Sequence, residues 1–489
     1  MNRFLRIIAI IFLLSSSQLF SQNISHNELN PDFVKALERK HDTQAELNDL
    51  GGIPYPVKLS YSAFKTKDGA KFPSIYDLRD LGVVAPVELQ SSGGCWAYSG
   101  ISTLESRLLM LGEGAYDFSD NNLKYCHGFF DSRSTNGNAW MITAYLARQS
   151  GPLLEEQDPY PGGTSGPGVD CPVGEPAAFF LREARYPVGD MANTKQLVMD
   201  IGSIWTLVYY NATYFNAAEA TYFYGGTHEV NHVVNIVGWD DDKVTAGGVG
   251  AWLCQNTYGI GWGDNGFFYV SYNDTQILIY NAYYPEIKPF DSESRVLLYD
   301  ELGNYNSLGF EDETAYALCK FTADEALLIQ EIGTYSMAYA STISMEVYLQ
   351  YDEINGVLYE KVGEVSDQLT EDPGLYTFTL NEPFVVRAGN HFYVKVKYTT
   401  PGNEFPIPIE EFIETYSDPQ IETGVSWVSE DGADGHWLSI GADNTEGFVC
   451  DLSINVYGKT NPPMIPLSNK IVLLTFLALF GFYFITTKA

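Results

Sequence analysis

The arrangement of apolar and polar positions divides the chain into stretches of different texture. From Ile287 to Tyr457 apolar residues alternate with polar ones: Phe392, Val394, Val396 and Tyr398 share one face of a strand, and Cys450, Leu452, Ile454 and Val456 share one face of another. A period of two puts every second side chain on the same side of a sheet. Turns rich in Gly, Asp and Pro separate these runs and no long helical pattern interrupts them, so an all-β sandwich is predicted over 286–460. Between Phe72 and Pro285 helical and strand periods mix. After Gly93 and Gly94 the residues Ile101, Leu104, Leu108 and Leu109 form one stripe, which starts a helix at or near Cys95. Residues 23–71 are mostly polar and read as a leader, with one amphipathic helix between Pro31 and Leu47 that places Phe33, Leu37 and Leu47 on one side. No repeat of fixed period is present. The fold class is α+β, with a mixed domain over 72–285 ahead of the sandwich.

Length and charge narrow the picture. At 489 residues the chain exceeds what one core supports, so two or three domains are expected. The 45% hydrophobic and 18% charged residues describe a globular protein. A net charge of −34 argues against nucleic acid as a partner, because most of the surface would repel a polyanion. Arg3 and Arg6 precede an apolar run, Ile7 to Leu14, and a small, polar stretch ending near Gln22. These are the three regions of a secretory signal over 1–22, and they imply export. Export permits disulfides, yet six cysteines (Cys95, Cys126, Cys171, Cys254, Cys319 and Cys450) are too few for a disulfide scaffold, so some carry individual roles.

The other end, 461–489, reads as a Pro-containing linker and an apolar segment. Residues 471–487 number 17, about 25 Å of helix, the lower limit for a bilayer core. Lys488 would stay on the cytoplasmic side. A membrane anchor is the expectation; the short motif, apolar stretch and basic end also resemble bacterial C-terminal sorting signals. Either reading puts the exported chain at the cell surface before any processing.

The candidate chemistry lies in three segments of the mixed domain. Residues 90–98 read Gln-Ser-Ser-Gly-Gly-Cys-Trp-Ala-Tyr. A thiol at the start of a helix feels the positive end of its dipole, which favours the thiolate and makes Cys95 a candidate nucleophile. The glycines let a substrate carbonyl approach the backbone, and Gln90 can donate to a developing oxyanion. The second segment, Thr227-His228-Glu229-Val230-Asn231-His232, matches the His-Glu-x-x-His pattern of zinc peptidases. That pattern chelates only on a helix. Here Gly225 and Gly226 precede it and the β-branched run Val233 to Val237 follows, so a strand is expected, on which residues four apart stand about 13 Å from each other. No metal is assigned, and no cofactor is called for. The third segment, 252–268, reads Trp-Leu-Cys-Gln-Asn-Thr-Tyr-Gly-Ile-Gly-Trp-Gly-Asp-Asn-Gly-Phe-Phe.

Together these segments resemble the papain family of cysteine peptidases: Gln90 through Tyr98 its nucleophile motif, Asn231-His232-Val233-Val234 through Gly238-Trp239 its histidine motif, and Trp252 through Phe267 its Asn-Ser-Trp-Gly motif. The resemblance implies a two-lobed domain, one lobe helical and one β-barrel-like. It implies a triad of Cys95, His232 and Asn256, with Gln90 in the oxyanion hole and a peptide or protein as substrate. His232 follows Cys95 by 137 positions, in the range such partners occupy. Tyr258 stands where the family has a Trp that shields the His–Asn bond, and Asn136 and Gly137 fall in the Gly-rich stretch that pairs with substrate backbone. Phe118 through Cys126 and the stretch before Cys171 match two places the family joins, which implies a Cys126–Cys171 disulfide. His228 receives no role and Cys254 reads as buried filler.

Exported bacterial and archaeal members with a lectin-like sandwich are a closer match, through Asn30-Pro31-Asp32-Phe33, Ile53-Pro54-Tyr55-Pro56-Val57 and Tyr76-Asp77-Leu78-Arg79. That resemblance implies a surface glycan as partner of 286–460. Two departures favour a rival reading, a catalytically inactive surface adhesin on the same fold: the loop between Gln90 and Cys95 is one residue short of the family spacing, and Tyr258 replaces Trp.

Overall fold

A computed structural model of the protein describes residues 24–39, 50–59, 71–91, 93–129, 136–160, 171–444 and 447–460. The expected signal over 1–22, residues 40–47 of the leader helix and the tail over 461–489 lie outside the described residues. Among the described residues no helix is long and apolar enough to cross a membrane.

Five helices are described: α1 (Pro31–Arg39), α2 (Cys95–Leu111), α3 (Asp120–Cys126), α4 (Ala139–Ala147) and α5 (Met191–Asp200). In the leader, α1 buries Phe33, Ala36 and Leu37 on one face. Helix α2 is buried from Cys95 to Ser106, well beyond the apolar stripe, because both lobes of the mixed domain pack on it. Gly112, at φ 77°, ends it by donating to the carbonyls of Leu108 and Leu109. Close approach of α4 needs Gly100, where a Cβ would stand 2.5 Å from Ile142. Ser119 and Asn138 cap α3 and α4 by accepting from backbone N–H groups of the first turn.

The second lobe is a sheet in which the strands Ile204–Val208, His232–Thr245, Gly248–Gln255 and Phe267–Ser271 are neighbours in that order, all antiparallel. The β-branched run after His232 suits this extended, buried setting. Helix α2 is tied to the central strand: Asn235 Nδ2 donates to the Ser99 carbonyl (3.1 Å), Thr103 Oγ1 to Asn235 Oδ1 (3.2 Å) and Ser99 Oγ to the Val233 carbonyl (3.4 Å). These ties set the first half of the helix against the first residues of the strand.

Beyond residue 290 the described residues are strands and turns. A six-stranded sheet, a five-stranded sheet and a four-stranded sheet turn their apolar faces to one core that includes Ile332, Ile343, Val394, Ile409 and Val456. The sheets are not confined to the sandwich. Ala184–Arg185 of the mixed domain pairs with Gly374–Val386 and completes the five-stranded sheet, and the leader's Ser25–His26 pairs with Asn306–Gly309 at the edge of the four-stranded one. One expectation is corrected. The alternating run from Cys450 to Val456 is two strands: Cys450–Leu452 pairs with Ile407–Glu411, whereas Ile454–Lys459 pairs with Leu327–Ser336 in a different sheet. Ser453 donates its N–H to the Pro408 carbonyl at the change of sheet. Alternation persists through the break because both sheets face the same core.

Candidate active site

The nucleophile candidate is delivered by a tight turn. Gly94 donates its N–H to the Ser91 carbonyl (3.0 Å) and its own carbonyl accepts from Ala97 and Tyr98, so Cys95 is the first residue of α2. Gly93 sits at φ 67°, the left-handed region that favours glycine. One residue before the turn, Gln90 is fixed at both main chain and side chain: its backbone N–H donates to the Thr257 carbonyl (2.8 Å), and Thr257 Oγ1 donates to Gln90 Oε1. The Thr257 hydroxyl therefore leaves the Gln90 NH₂ free to point away from it, and Nε2 donates to the Leu50 carbonyl at 3.4 Å.

His232 opens its strand with Nε2 2.8 Å from Asn256 Oδ1. Asn256 is held by its N–H to the Gly266 carbonyl (2.9 Å), and its Oδ1 also accepts from the Thr257 N–H (2.8 Å), which orients the amide oxygen toward the imidazole. The ring of Tyr258 stacks on His232, centroids 5.0 Å apart, and Trp262 packs edge-on behind Tyr258 at 5.4 Å. Burial holds the imidazole down at about 4, with the Asn256 bond opposing. Cys95, His232 and Asn256 are all fully shielded from solvent. Burial raises the Tyr258 phenol, and the charge of Cys95 raises it further.

Beside these residues runs the leader. Residues Leu50 to Val57 run between the lobes as an extended segment, and Gly52 forms a parallel bridge with Gly137. The Gly137 N–H donates to the Gly51 carbonyl (2.8 Å), its carbonyl accepts from Ile53 (3.1 Å), and on the other side Gly52 donates to the Asn231 carbonyl (3.2 Å). At the glycines of this path there is no room for a side chain. A Cβ on Gly51 would lie 2.0 Å from the Gly93 carbonyl oxygen, and one on Gly137 would enter the ring of Trp96 at 2.5 Å. Asn136 is buried beside Gly137, and Asn138 Nδ2 donates to the Pro54 carbonyl (3.2 Å).

Other residues are placed as follows. His228 lies in the loop before the strand, its ring 5.1 Å from that of Tyr209, so the His-Glu-x-x-His segment is not on a helix. Cys254 is buried in the core of the second lobe, where desolvation pushes its thiol up. Cys126 and Cys171 form a disulfide with Cα atoms 5.8 Å apart. Sequence reasoning missed Thr257, Asn231 and the cleft segment. Thr257 had a signal, its position beside Asn256; the others act through main-chain atoms that every residue carries.

Residues 72–285 match the model of the papain family cysteine proteases and residues 296–457 that of a lectin-like domain. The chain is 27% identical over 233 residues to mouse cathepsin K (46% of this chain, 68% of that protein) and 26% identical over 211 residues to the viral cathepsin of Heliothis zea nuclear polyhedrosis virus (42% and 53%). Its fold is similar to the crystal structure of the cysteine protease and lectin-like domains of Cwp84, a surface layer associated protein of Clostridium difficile, at a TM-score of 0.74, 22% identity and coverage of 90% of this chain and 98% of that one. The same clostridial cysteine protease after propeptide cleavage matches at a TM-score of 0.68 and 23% identity, over 80% and 100% of the two chains.

Proposed function

Since this chain carries a papain-family cysteine protease domain followed by a lectin-like domain, we propose that it is an exported, surface-associated cysteine endopeptidase acting through Cys95, His232 and Asn256. The observation that carries the reading is the buried 2.8 Å bond between His232 Nε2 and Asn256 Oδ1 at the foot of the helix that begins with Cys95. With Nε2 committed to the amide oxygen, Nδ1 is the atom that exchanges a proton with the thiol. The Cys95 sulfur attacks the substrate carbonyl carbon, the carbonyl electrons move to oxygen, and Gln90 Nε2 with the Cys95 N–H holds that oxyanion. Collapse breaks the C–N bond as His232 gives its proton to the leaving amine. Water, deprotonated by His232, then releases the acyl group and regenerates the thiol.

Gln90 donates to the Leu50 carbonyl, and Gly137 pairs with the leader backbone in the manner expected of a substrate. The chain with its leader seated is accordingly the latent form. Surface association is inferred from the likeness to a surface layer associated protease, and a surface glycan as partner of the lectin-like domain follows that domain's name; both are carried by resemblance alone. The test is a thiol-directed epoxide on the chain after release of the leader by limited proteolysis. Loss of peptide hydrolysis with one label mapped to Cys95, and indifference to a chelator, supports the peptidase reading; a chain that binds cell-wall material but neither cleaves peptides nor takes the label is the adhesin.

A further inference from the structure

Lysine is among the residues least often fully buried, because its ammonium loses several kcal/mol of hydration. Lys124 is nevertheless 1% exposed, on the inner face of α3. A Leu or Met would fill that space without the loss. Its Nζ donates to Ser91 Oγ at 2.8 Å and lies 5.0 Å from the centroid of the Tyr125 ring. Ser91 is the residue whose carbonyl accepts from Gly94, directly before Cys95. Lys124, Ser91, Gly94 and Cys95 thus form one connected path from α3 into the first turn of α2.

We infer, on the peptidase reading, that Lys124 is a positioning residue of the catalytic machinery, tethering the turn that carries Cys95 and supporting its thiolate from the helical lobe while His232 supports it from the other. Burial lowers the ammonium to about 8, and Cys95 is the group that pulls it back up. Such coupling is reciprocal: a cation that gains from the thiolate stabilises the thiolate by the same amount. Among the described residues the other titratable groups of this region include Tyr98 on α2, Asp120 and Tyr125 on α3, Asp158 and Tyr160 after α4, and His232 and Tyr258 in the second lobe. Burial pushes the Asp120 carboxyl up, while Asp158 accepts from Asn121 Nδ2 (3.3 Å) and Asn122 Nδ2 (2.9 Å). Removing the cation should therefore raise the pH at which Cys95 ionises.

The experiment is the pH profile of Cys95 alkylation by iodoacetamide in the full chain after release of the leader by limited proteolysis, with kcat/KM beside it. Lys124→Met is expected to move the acid limb of both profiles upward by about one unit, so that activity lost at low pH returns as pH rises. Lys124→Arg keeps the charge and should leave the limb in place. Ser91→Ala cuts the tether, and should lower kcat without moving the limb. If the Met variant does not fold, Lys124→Gln, which can still donate to Ser91, replaces it with the same expected shift. An unmoved limb in the neutral variants, or an Arg variant that shifts as far as they do, overturns the inference. A wild-type chain that keeps its activity after Cys95 is alkylated would overturn the peptidase reading instead.

Discussion

The leader grips the rest of the chain in two places, by different means. Around residues 25–37 side chains do the holding: Phe33 is buried edge-on against Tyr416 with ring centroids 4.9 Å apart, and His26 Nδ1 lies 3.0 Å from Glu411 Oε2 beside the short strand that pairs with the sandwich. Along residues 50–53 the main chain does it, through Leu50, Gly51, Gly52 and Ile53 against Gln90, Gly137 and Asn231, before Tyr55 and Val57 bury their side chains in the core. Buried apolar area supplies affinity without regard to register. A backbone ladder supplies register and reads almost nothing of the side chains. On the peptidase reading, the cleft is thus blocked by the second kind of contact, and the blocking segment is kept in place by the first, some distance away on the lectin-like domain.

The sharpest way to break this comparison is to ask whether the cleft is catalytic at all. Cys95→Ala should lower peptide hydrolysis by about 10³-fold or more, with thermal unfolding little changed, since the methyl fits where the thiol sits. Hydrolysis near the wild-type rate would mean that the leader blocks nothing.

Next is the backbone contact. Gly51 lies at φ 112°, and a side chain there meets a carbonyl oxygen that cannot move aside. Strain of ~1–3 kcal/mol adds to that collision, so Gly51→Val should expel the segment and speed alkylation of Cys95 in the full chain by about 10²-fold or more. An unchanged rate would show that glycine is not what lets the leader enter.

Phe33→Ala tests the distant grip. Truncating a buried Phe costs about 3 kcal/mol where neighbours cannot close in; with Phe129 and Tyr305 packed on Tyr416 some closure is expected, and the alkylation rate should rise about thirtyfold. No rise would assign the whole affinity to the cleft.

The smallest effect is on pH. His232 is lowered to about 4 while the leader covers it, against an ordinary value near 6.5. Its folded value is depressed, so the closed form binds fewer protons than the open form between these limits. The contribution of His232 to closure is complete above about pH 6.5 and is lost as pH falls toward 4. Opening, read as Cys95 alkylation corrected for thiolate fraction or as proteolytic release of the leader, should increase by about one order of magnitude from pH 6.5 to 5. His232→Gln should flatten that dependence.

How much could be read in advance depends on the range of each contact. The mixed domain followed by a sandwich was legible because periods of 3.6 and 2 are local and repeat many times. So were the residues Cys95, His232 and Asn256, each inside a short motif whose neighbours (Trp96, Val233, Gly259) are demanded by packing around it. The break at Ser453 was not, since alternation reports which face is buried and not which strand is alongside. Lys124 looked like any polar residue of a short helix, for nothing near it in sequence shows that Ser91 lies 2.8 Å from its ammonium.

By itself, then, the sequence determined which side chains are candidates for chemistry and which segments are helix or strand, because those properties reside in residue types and their spacing. Only the tertiary structure decided that Thr257 turns the Gln90 amide toward the cleft, that the leader lies there with Gly52 on Gly137, and that Ser25–His26 joins a sheet of the sandwich. These are contacts between main-chain or small polar groups far apart along the chain. Peptide groups are the same at every position, so no pattern of side chains announces where two of them will meet.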